Sequence, residues 1–468
     1  MSPDDDRNLE LIAHYRAEVS RVVSGLRWIV AEGVLVGGAN IATKLLELGA
    51  EAVLVIACSR GTGDLPDDPR IKLMDFGISS ADMQSSIRDS DEFFNNLPKD
   101  ALKAIEEFDP SGEALATGVI WLSCEHIGGR PMLGARPEPW RALEDKMVAD
   151  ALWARAGIEY APYRLVDAEL SAVRTAAAEV RGPLGTVWAG DNKEGWHGGA
   201  NMTRWVRDEA EAVQTAAFFG EHCDRVRVMP FLEGLPCSIH AFVTADAVAP
   251  VHPCEMLVLR VEDSNKLHYA GAATNWVPSP EIGAQMRDAA QRVGEQIQKE
   301  VGYRGSFTLD GVCTSTGFYP TEINPRFGGA LGRMSSGFPD LPLYLLHQAM
   351  ASEKDLDFRP HVLAKLVSSC TTANPVIKGM ALLTGQRDFE PAHVHLIQEG
   401  LSWVPTEDLD NALASIRIGP APAGSIVFCQ VTTGVITYGD PAAPIVASLL
   451  NYAFSYWNIE HPTLIPNV

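Results

Sequence analysis

Apolar residues recur at helical intervals through the first 23 positions. Leu9, Leu11, Ile12, Tyr15, Val19 and Val22 form one stripe, so an amphipathic helix is expected over 1–23. The pattern then shortens. Residues 33–38, GVLVGG, read as a strand ending in glycines, 41–48 as a helix stopped by Gly49, and the apolar run 52–58 as a second strand. Together they predict a β-α-β unit, with 118–122, GVIWL, as a further strand. The Pro/Gly-rich segment 128–139 reads as a linker. After it, Leu143, Met147, Leu152 and Trp153 mark a helix over 140–156 that stops at Gly157. Short strands at 186–188 and 204–206 flank a glycine loop, and 225–232 and 253–260 read as longer strands. A helix over 281–301 carries Met286, Ala290, Val293 and Ile297 on one face. Beyond about residue 356, strands are expected at 393–397 and 424–431 and a closing helix at 444–457.

One stretch carries chemistry as well as structure. Residues 305–334 read GSFTLDGVCTSTGFYPTEINPRFGGALGRM, a strand with Asp310, a turn at 314–317, and a second strand with Glu322 and Asn324. Side chains two apart on a strand share a face, and in a hairpin Asp310 can lie on that same face. Three oxygen donors would then converge, a set suited to Mg²⁺ or Mn²⁺ held together with substrate phosphates. Arg326 follows Asn324 by two residues, placed for bidentate contact with a phosphate or acyl phosphate. Arg304, beside the strand that holds Asp310, is a second candidate charge stabiliser. Arg260, at the end of 253–260, reads equally as a ligand for an anion or as a surface arginine. The bland alternative for the hairpin is an acidic turn with its charges in solvent.

The Asp…Glu-Ile-Asn-Pro-Arg run resembles the late strands of the ATP-grasp superfamily of carboxylate–amine ligases. The resemblance extends over roughly 25–355, in the order β-α-β start, Asp-Lys helix, glycine flap, hinge and metal hairpin. It implies an α/β chain, α+β in the ATP-grasp lobes. The layout it implies is a pre-ATP-grasp domain at 1–139, an ATP-grasp domain at 140–355 and a small C-terminal domain at 356–468. Within the ATP-grasp domain the flap lobe covers about 160–232 and the metal-binding lobe about 233–355. Lys146 would reach the nucleotide phosphates, and Gly195, Gly198 and Gly199 would belong to the flap. Met229, Pro230, Phe231 and Leu232 would form the hinge against adenine. Asp310, Glu322 and Asn324 would hold the metal, with Arg326 and Arg304 as catalytic charges.

Two departures from the family pattern stand out. The strand before the flap reads Thr186-Val187-Trp188-Ala189 where a lysine is usual, with Lys193 in the loop as a candidate substitute. Leu235-Pro236-Cys237-Ser238 follows Gly234 where a ribose-binding carboxylate is usual. The phrasing PFLEGLPCSIH with YPTEINPR is most similar to actinobacterial peptide ligases of natural-product, including antibiotic, pathways. Implied are ATP as co-substrate, a small-molecule carboxylate and an amine (amino acid or peptide) as substrates, an acyl-phosphate intermediate and a homodimer. The C-terminal domain would shape the entrance for the amine.

Composition narrows the field. The 468 residues carry a formal net charge of −22, which argues against a nucleic-acid partner or an anionic membrane surface, though not against ATP. The first 20 residues lack a basic region followed by an apolar one, so no signal peptide is expected, and no apolar run is long enough to span a bilayer. Eight cysteines in mostly apolar contexts, with no Cys-x-x-Cys, suggest buried thiols in a reduced, cytoplasmic protein and no zinc site. His393 and His395 read as packed or exposed rather than ligating. Two other function classes stay open. One is a degenerate ATP-grasp scaffold that binds nucleotide or a partner without ligation. The other is a dinucleotide-dependent oxidoreductase, opposed by the broken glycine spacing of GGANIA.

Overall fold

The computed structural model describes residues 3–386 and 389–467. The β-α-β start forms as expected in kind and differs in its boundaries. The first strand is Arg27–Val34, paired in parallel with Ala52–Ser59 on one side and Leu115–Gly118 on the other. GVLVGG therefore splits after Val34, and Leu35 begins the crossover helix Leu35–Glu47. Its glycines serve close packing rather than strand termination. A Cβ on Gly38 would lie 2.5 Å from Val55 Cγ1, so only glycine lets the helix sit this close to the neighbouring strand. The strand expected at 118–122 lies earlier, because Gly118 already abuts the Ala31 carbonyl and residues 119–122 turn away.

The expected linker is instead tied down. His126–Ile127 and Arg130–Pro131 pair as a short hairpin, and buried Arg130 bonds Asp109 at 2.9 Å and Glu106 at 2.7 Å. The helix expected over 140–156 is broken. A short helix, Glu138–Arg141, and a 3₁₀ turn, Ala142–Glu144, come first; Asp145 then accepts from the Met147 N–H at 2.9 Å and caps a new helix, Lys146–Ala156. Gly157, with φ 67°, ends it. The break has a consequence: Lys146 becomes the first residue of a helix, and Glu144 is buried just before it.

Two antiparallel sheets follow. The smaller runs Arg164–Asp167, Arg225–Pro230, Thr186–Gly190, Thr203–Val206 in spatial order, backed by Leu170–Val180 and Glu209–His222 around Trp188 and Phe219. The larger sheet has twelve strands. Its path starts at the hairpin Phe318–Asn324 and Gly305–Cys313, then continues through Leu235–Val243, Cys254–Val261 and Leu267–Ala273. It crosses into the C-terminal region without a break, since Gly271, Ala272 and Ala273 pair with Gly379, Lys378 and Ile377. The strands at 393–397 and 424–431 exist as Ala392–Glu399 and Gly424–Val431 and belong to this same sheet, so the C-terminal region extends it rather than sitting apart as a cap. Helix Pro280–Val301 covers one face beside Lys146–Ala156, and Ala443–Tyr456 covers the C-terminal strands. All eight cysteines are free thiols, and among the described residues no helix is long and apolar enough to cross a membrane.

A buried ion pair anchors the small sheet to the helix Lys146–Ala156, and one further bond reaches the large sheet. Arg227 donates from Nε and Nη2 to the two oxygens of Asp150, each at 2.6 Å, and from Nη1 to the Thr321 carbonyl at 3.2 Å. Both side chains are almost wholly buried, so removing one strands the other. Asp150→Ala is expected to lower the unfolding free energy by about 3–5 kcal/mol in urea denaturation, and the paired Asp150→Leu, Arg227→Met variant to recover most of that loss.

Candidate active site

The three sheets meet around one cavity of about 790 Å³. One wall of it is the hairpin. Asp310 stands opposite Glu322 and Thr308 opposite Asn324, with a bulge after Asp310. The sheet's alternation thus brings Asp310, Glu322 and Asn324 onto the cavity face, as their spacing predicts. Asn324 Nδ2 donates to Asp310 Oδ2 at 2.8 Å, and the Ser238 hydroxyl donates to Asp310 from the adjoining strand. Lys146 Nζ lies 2.8 Å from Glu322 Oε2. Arg326 donates to Asn324 Oδ1 at 2.7 Å and to Glu144 Oε2 at 3.2 Å.

These contacts answer an electrostatic demand. Burial, then the neighbouring Glu322 charge, pushes the Asp310 carboxyl up to about 7. Burial would push Glu322 the same way, but Lys146 and Arg326 overcome it and hold Glu322 below its ordinary value. Two partly buried carboxylates and an amide oxygen form a hard, oxygen-only donor set, which fits Mg²⁺ or Mn²⁺. Among the described residues no three His, Cys, Asp or Glu side chains converge; the third donor here is the Asn324 amide.

The glycine loop between Thr186–Gly190 and Thr203–Val206 folds down onto this wall. Trp196 is its anchor. The indole N–H donates to Glu144, and the Arg326 guanidinium lies 5.2 Å from the indole centroid. Glu144 also receives Arg136 and is fully buried; burial pushes its carboxyl up, but Arg136 and Arg326 hold it below the usual range. A Cβ on Gly198 would sit 2.9 Å from the Trp196 ring, which explains glycine there. His197 Nε2 lies 3.2 Å from the Asp191 carbonyl, and burial, then Lys146, lowers its pKa to about 4, so it is neutral at pH 7. From the N-terminal unit, Arg88 donates to the Glu194 carbonyl at 2.8 Å.

Met229, Pro230, Phe231 and Leu232 line the same cavity. The Phe231 N–H is committed to the Gly185 carbonyl at 3.0 Å, and its ring stacks on Trp205 at 4.3 Å between centroids. Proline has no N–H, so of residues 230–232 only Leu232 keeps a backbone donor outside these pairings.

Of the residues singled out in the sequence, Lys146, Gly198, Gly199, Met229, Pro230, Phe231, Leu232, Asp310, Glu322, Asn324 and Arg326 line this one cavity. The other candidates fall elsewhere. Gly195 sits at a turn of the loop beside Arg88. Arg304 lies just before the strand that holds Asp310 and bonds the Tyr303 carbonyl at 2.8 Å; five strand residues separate it from Asp310, too far for a charge contact. Arg260 donates to the Pro466 carbonyl at 3.2 Å because the strand Leu464–Pro466 covers it. Lys193 pairs with Asp224 at 2.7 Å on the outside and does not replace a strand lysine; Val187 and Ala189 face the cavity from that strand. His393 and His395 pack ring to ring at 4.3 Å. Sequence reasoning missed Glu144, Arg136, Trp196 and Ser238. Only Glu144 left a trace, as the first of two acids before Lys146.

A model of the ATP-grasp domain matches residues 198–330. No curated protein matches the chain. Several solved structures do. Phosphoribosylamine–glycine ligase from Thermotoga maritima aligns with a TM-score of 0.52 at 13% identity over 94% of this chain and 100% of that one. Pyruvate carboxylase from Rhizobium etli gives 0.53 at 14%, over 92% of this chain and 37% of that one. An ADP complex of N5-carboxyaminoimidazole ribonucleotide synthetase gives 0.50 at 13%, over 93% and 98%. The chain has an ATP-grasp fold of mixed α/β class.

The Trp196 anchor is directly testable. Trp196→Phe keeps a ring beneath Arg326 and removes the donor to Glu144, a charged hydrogen bond of about 1.5–3 kcal/mol. Amide hydrogen exchange across 191–200 is expected to accelerate roughly 10- to 100-fold, with the large sheet's exchange unchanged.

Proposed function

We propose that this protein is an ATP-dependent carboxylate–amine ligase. The reading is carried by one observation: Asp310, Glu322, Asn324 and Arg326 share a cavity wall with Lys146, under a glycine flap and in one cavity with an apolar hinge. Asp310, Glu322 and Asn324 would hold the divalent ion. When bound, Mg²⁺ neutralises phosphate charge and orients phosphate oxygens.

The chain's own groups do the rest. Lys146 and the flap amides near Gly198 and Gly199 receive the ATP phosphates, while the Leu232 N–H and the apolar hinge side chains receive the base. A substrate carboxylate oxygen attacks the γ-phosphorus, the bond to the β,γ-bridging oxygen breaks, and ADP leaves. Arg326 offers its guanidinium to the transferring phosphoryl group and then to the acyl phosphate. The amine nitrogen attacks the acyl carbon, the carbon–oxygen bond to phosphate breaks, phosphate leaves, and the nitrogen gives up its proton to solvent. Trp196 holds the flap shut against water that would hydrolyse the acyl phosphate.

A peptide ligase of natural-product or antibiotic biosynthesis, acting in the cytoplasm as a homodimer, is the finer form of this reading, supported by PFLEGLPCSIH and YPTEINPR. Its domains would be 1–139, 140–355 and 356–468, with the last sharing the large sheet. A nucleotide-binding scaffold without ligation is the competing reading, because Val187 and Ala189 occupy the flap strand where a lysine is usual.

Glu322→Gln and Arg326→Gln are each expected to cut ADP release in the presence of acid and amine panels by about 10²–10³-fold, the first with a melting temperature close to the parent's and the second with a lowered one, since it leaves Glu144 short of a partner. Near-normal turnover of either variant at saturating Mg²⁺ would remove the assignment.

A further inference from the structure

The end of the cavity away from the metal hairpin carries a second charged feature that the proposed chemistry does not use. On the sheet face that lines the cavity, Lys378 stands opposite Ala272 and Gln430, and Arg417 stands opposite Phe428 and His393. Arg333, on the helix Gly329–Gly337, packs over the same strands, with Nη2 3.8 Å from where a Cβ on Gly271 would lie. Gly271 pairs with Gly379, the neighbour of Lys378. Met380, Phe428 and Tyr269 line the cavity, so the cations adjoin it.

Three cations meet here, and among the described residues Arg333, Lys378 and Arg417 have no carboxylate partner. Burial, then Arg333 and Arg417, lowers the Lys378 ammonium. Arg333 and Lys378 are half-buried and Arg417 is exposed beside them, and a chain with 60 acidic residues leaves all three without an ion pair among the described residues. Such a cluster is costly unless an external anion completes it.

Its position limits the anion's owner. Four strand spacings separate the strand of Asp310 from that of Lys378, roughly 19 Å at about 4.8 Å each. A single amino acid cannot place its amine at the acyl phosphate and its carboxylate there. An extended peptide of about five residues can, at about 3.3 Å per residue. Between the two ends the floor is apolar, with Met256, Val258, Leu267 and Met380.

We propose that Arg333, Lys378 and Arg417 form a subsite for the terminal carboxylate of an extended, apolar-bodied peptide whose amino end is the nucleophile at Arg326. This rests on the ligase reading for the identity of the reacting end, not for the binding itself.

Affinity selection with mass-spectrometric readout, on the full chain with Mg·ADP, tests the proposal. The probes are mixed pentapeptides with free or amidated C termini and matching dipeptides. The parent is expected to retain free-carboxylate pentapeptides about tenfold or more over amides, as loss of a charged hydrogen bond implies, and to show no such preference among dipeptides. Arg333→Gln and Lys378→Gln should each erase the preference. Equal retention of both pentapeptide pools, retention of neither, or a preference that survives in a folded Lys378→Gln variant would overturn the subsite. If the preference behaves as expected while no acid–amine panel releases ADP, the ligase reading fails and the subsite stands.

Discussion

Buried negative charge organises this molecule. Asp310 and Glu322 face each other across one hairpin on the wall of the cavity, half-buried, where unpaired like charges would be costly. The compensating cations come from other parts of the chain. Lys146 arrives at the start of a helix, and Arg326 arrives from just beyond the hairpin. Arg326 in turn is steadied by Glu144, whose charge is matched by Arg136 and whose other oxygen takes the Trp196 indole. One network therefore ties the hairpin, the broken helix and the glycine loop into a single arrangement. A bound divalent ion and ATP would exchange places with these internal counter-charges rather than enter an uncharged hollow.

How much of this could be read beforehand depended on whether a feature is local. Asp310, Glu322 and Asn324 were legible because strand alternation and a short turn fix their relative placement within 15 residues. Gly157 was legible as a stop for the same reason. Features that depend on distant partners were not. Nothing near Leu35 announces that Gly38 must sit against Val55, so the strand seemed to run to the glycines. The helix break at Asp145 hinges on an Asp cap and a buried Glu144 whose partners lie at 136, 196 and 326. Arg304 looked close to Asp310 in sequence, but five residues of extended strand carry it out of range. The C-terminal strands were found, yet their union with the large sheet depends on pairing between residues more than 100 positions apart.

The same structure clarifies the departures from the family pattern. The flap strand presents Val187 and Ala189 to the cavity, Pro236 and Ser238 stand where a ribose carboxylate is usual, and Ser238 is spent on Asp310. The Phe231 amide is likewise spent, on Gly185. In the proposed ligase, base and sugar would therefore meet few polar groups, while the region of Asp310, Glu322, Lys146 and Arg326 is rich in charge. Affinity for nucleotide is expected to reside in the phosphates and the metal.

Titration calorimetry of ATP with and without Mg²⁺, on the parent and Glu322→Gln, tests this account most directly. It predicts measurable binding with Mg²⁺ that weakens at least about tenfold when the metal is withdrawn, and an equally weak, metal-insensitive response in the variant, as loss of a charged contact implies. Tight binding that is indifferent to Mg²⁺ and unchanged in Glu322→Gln would contradict it.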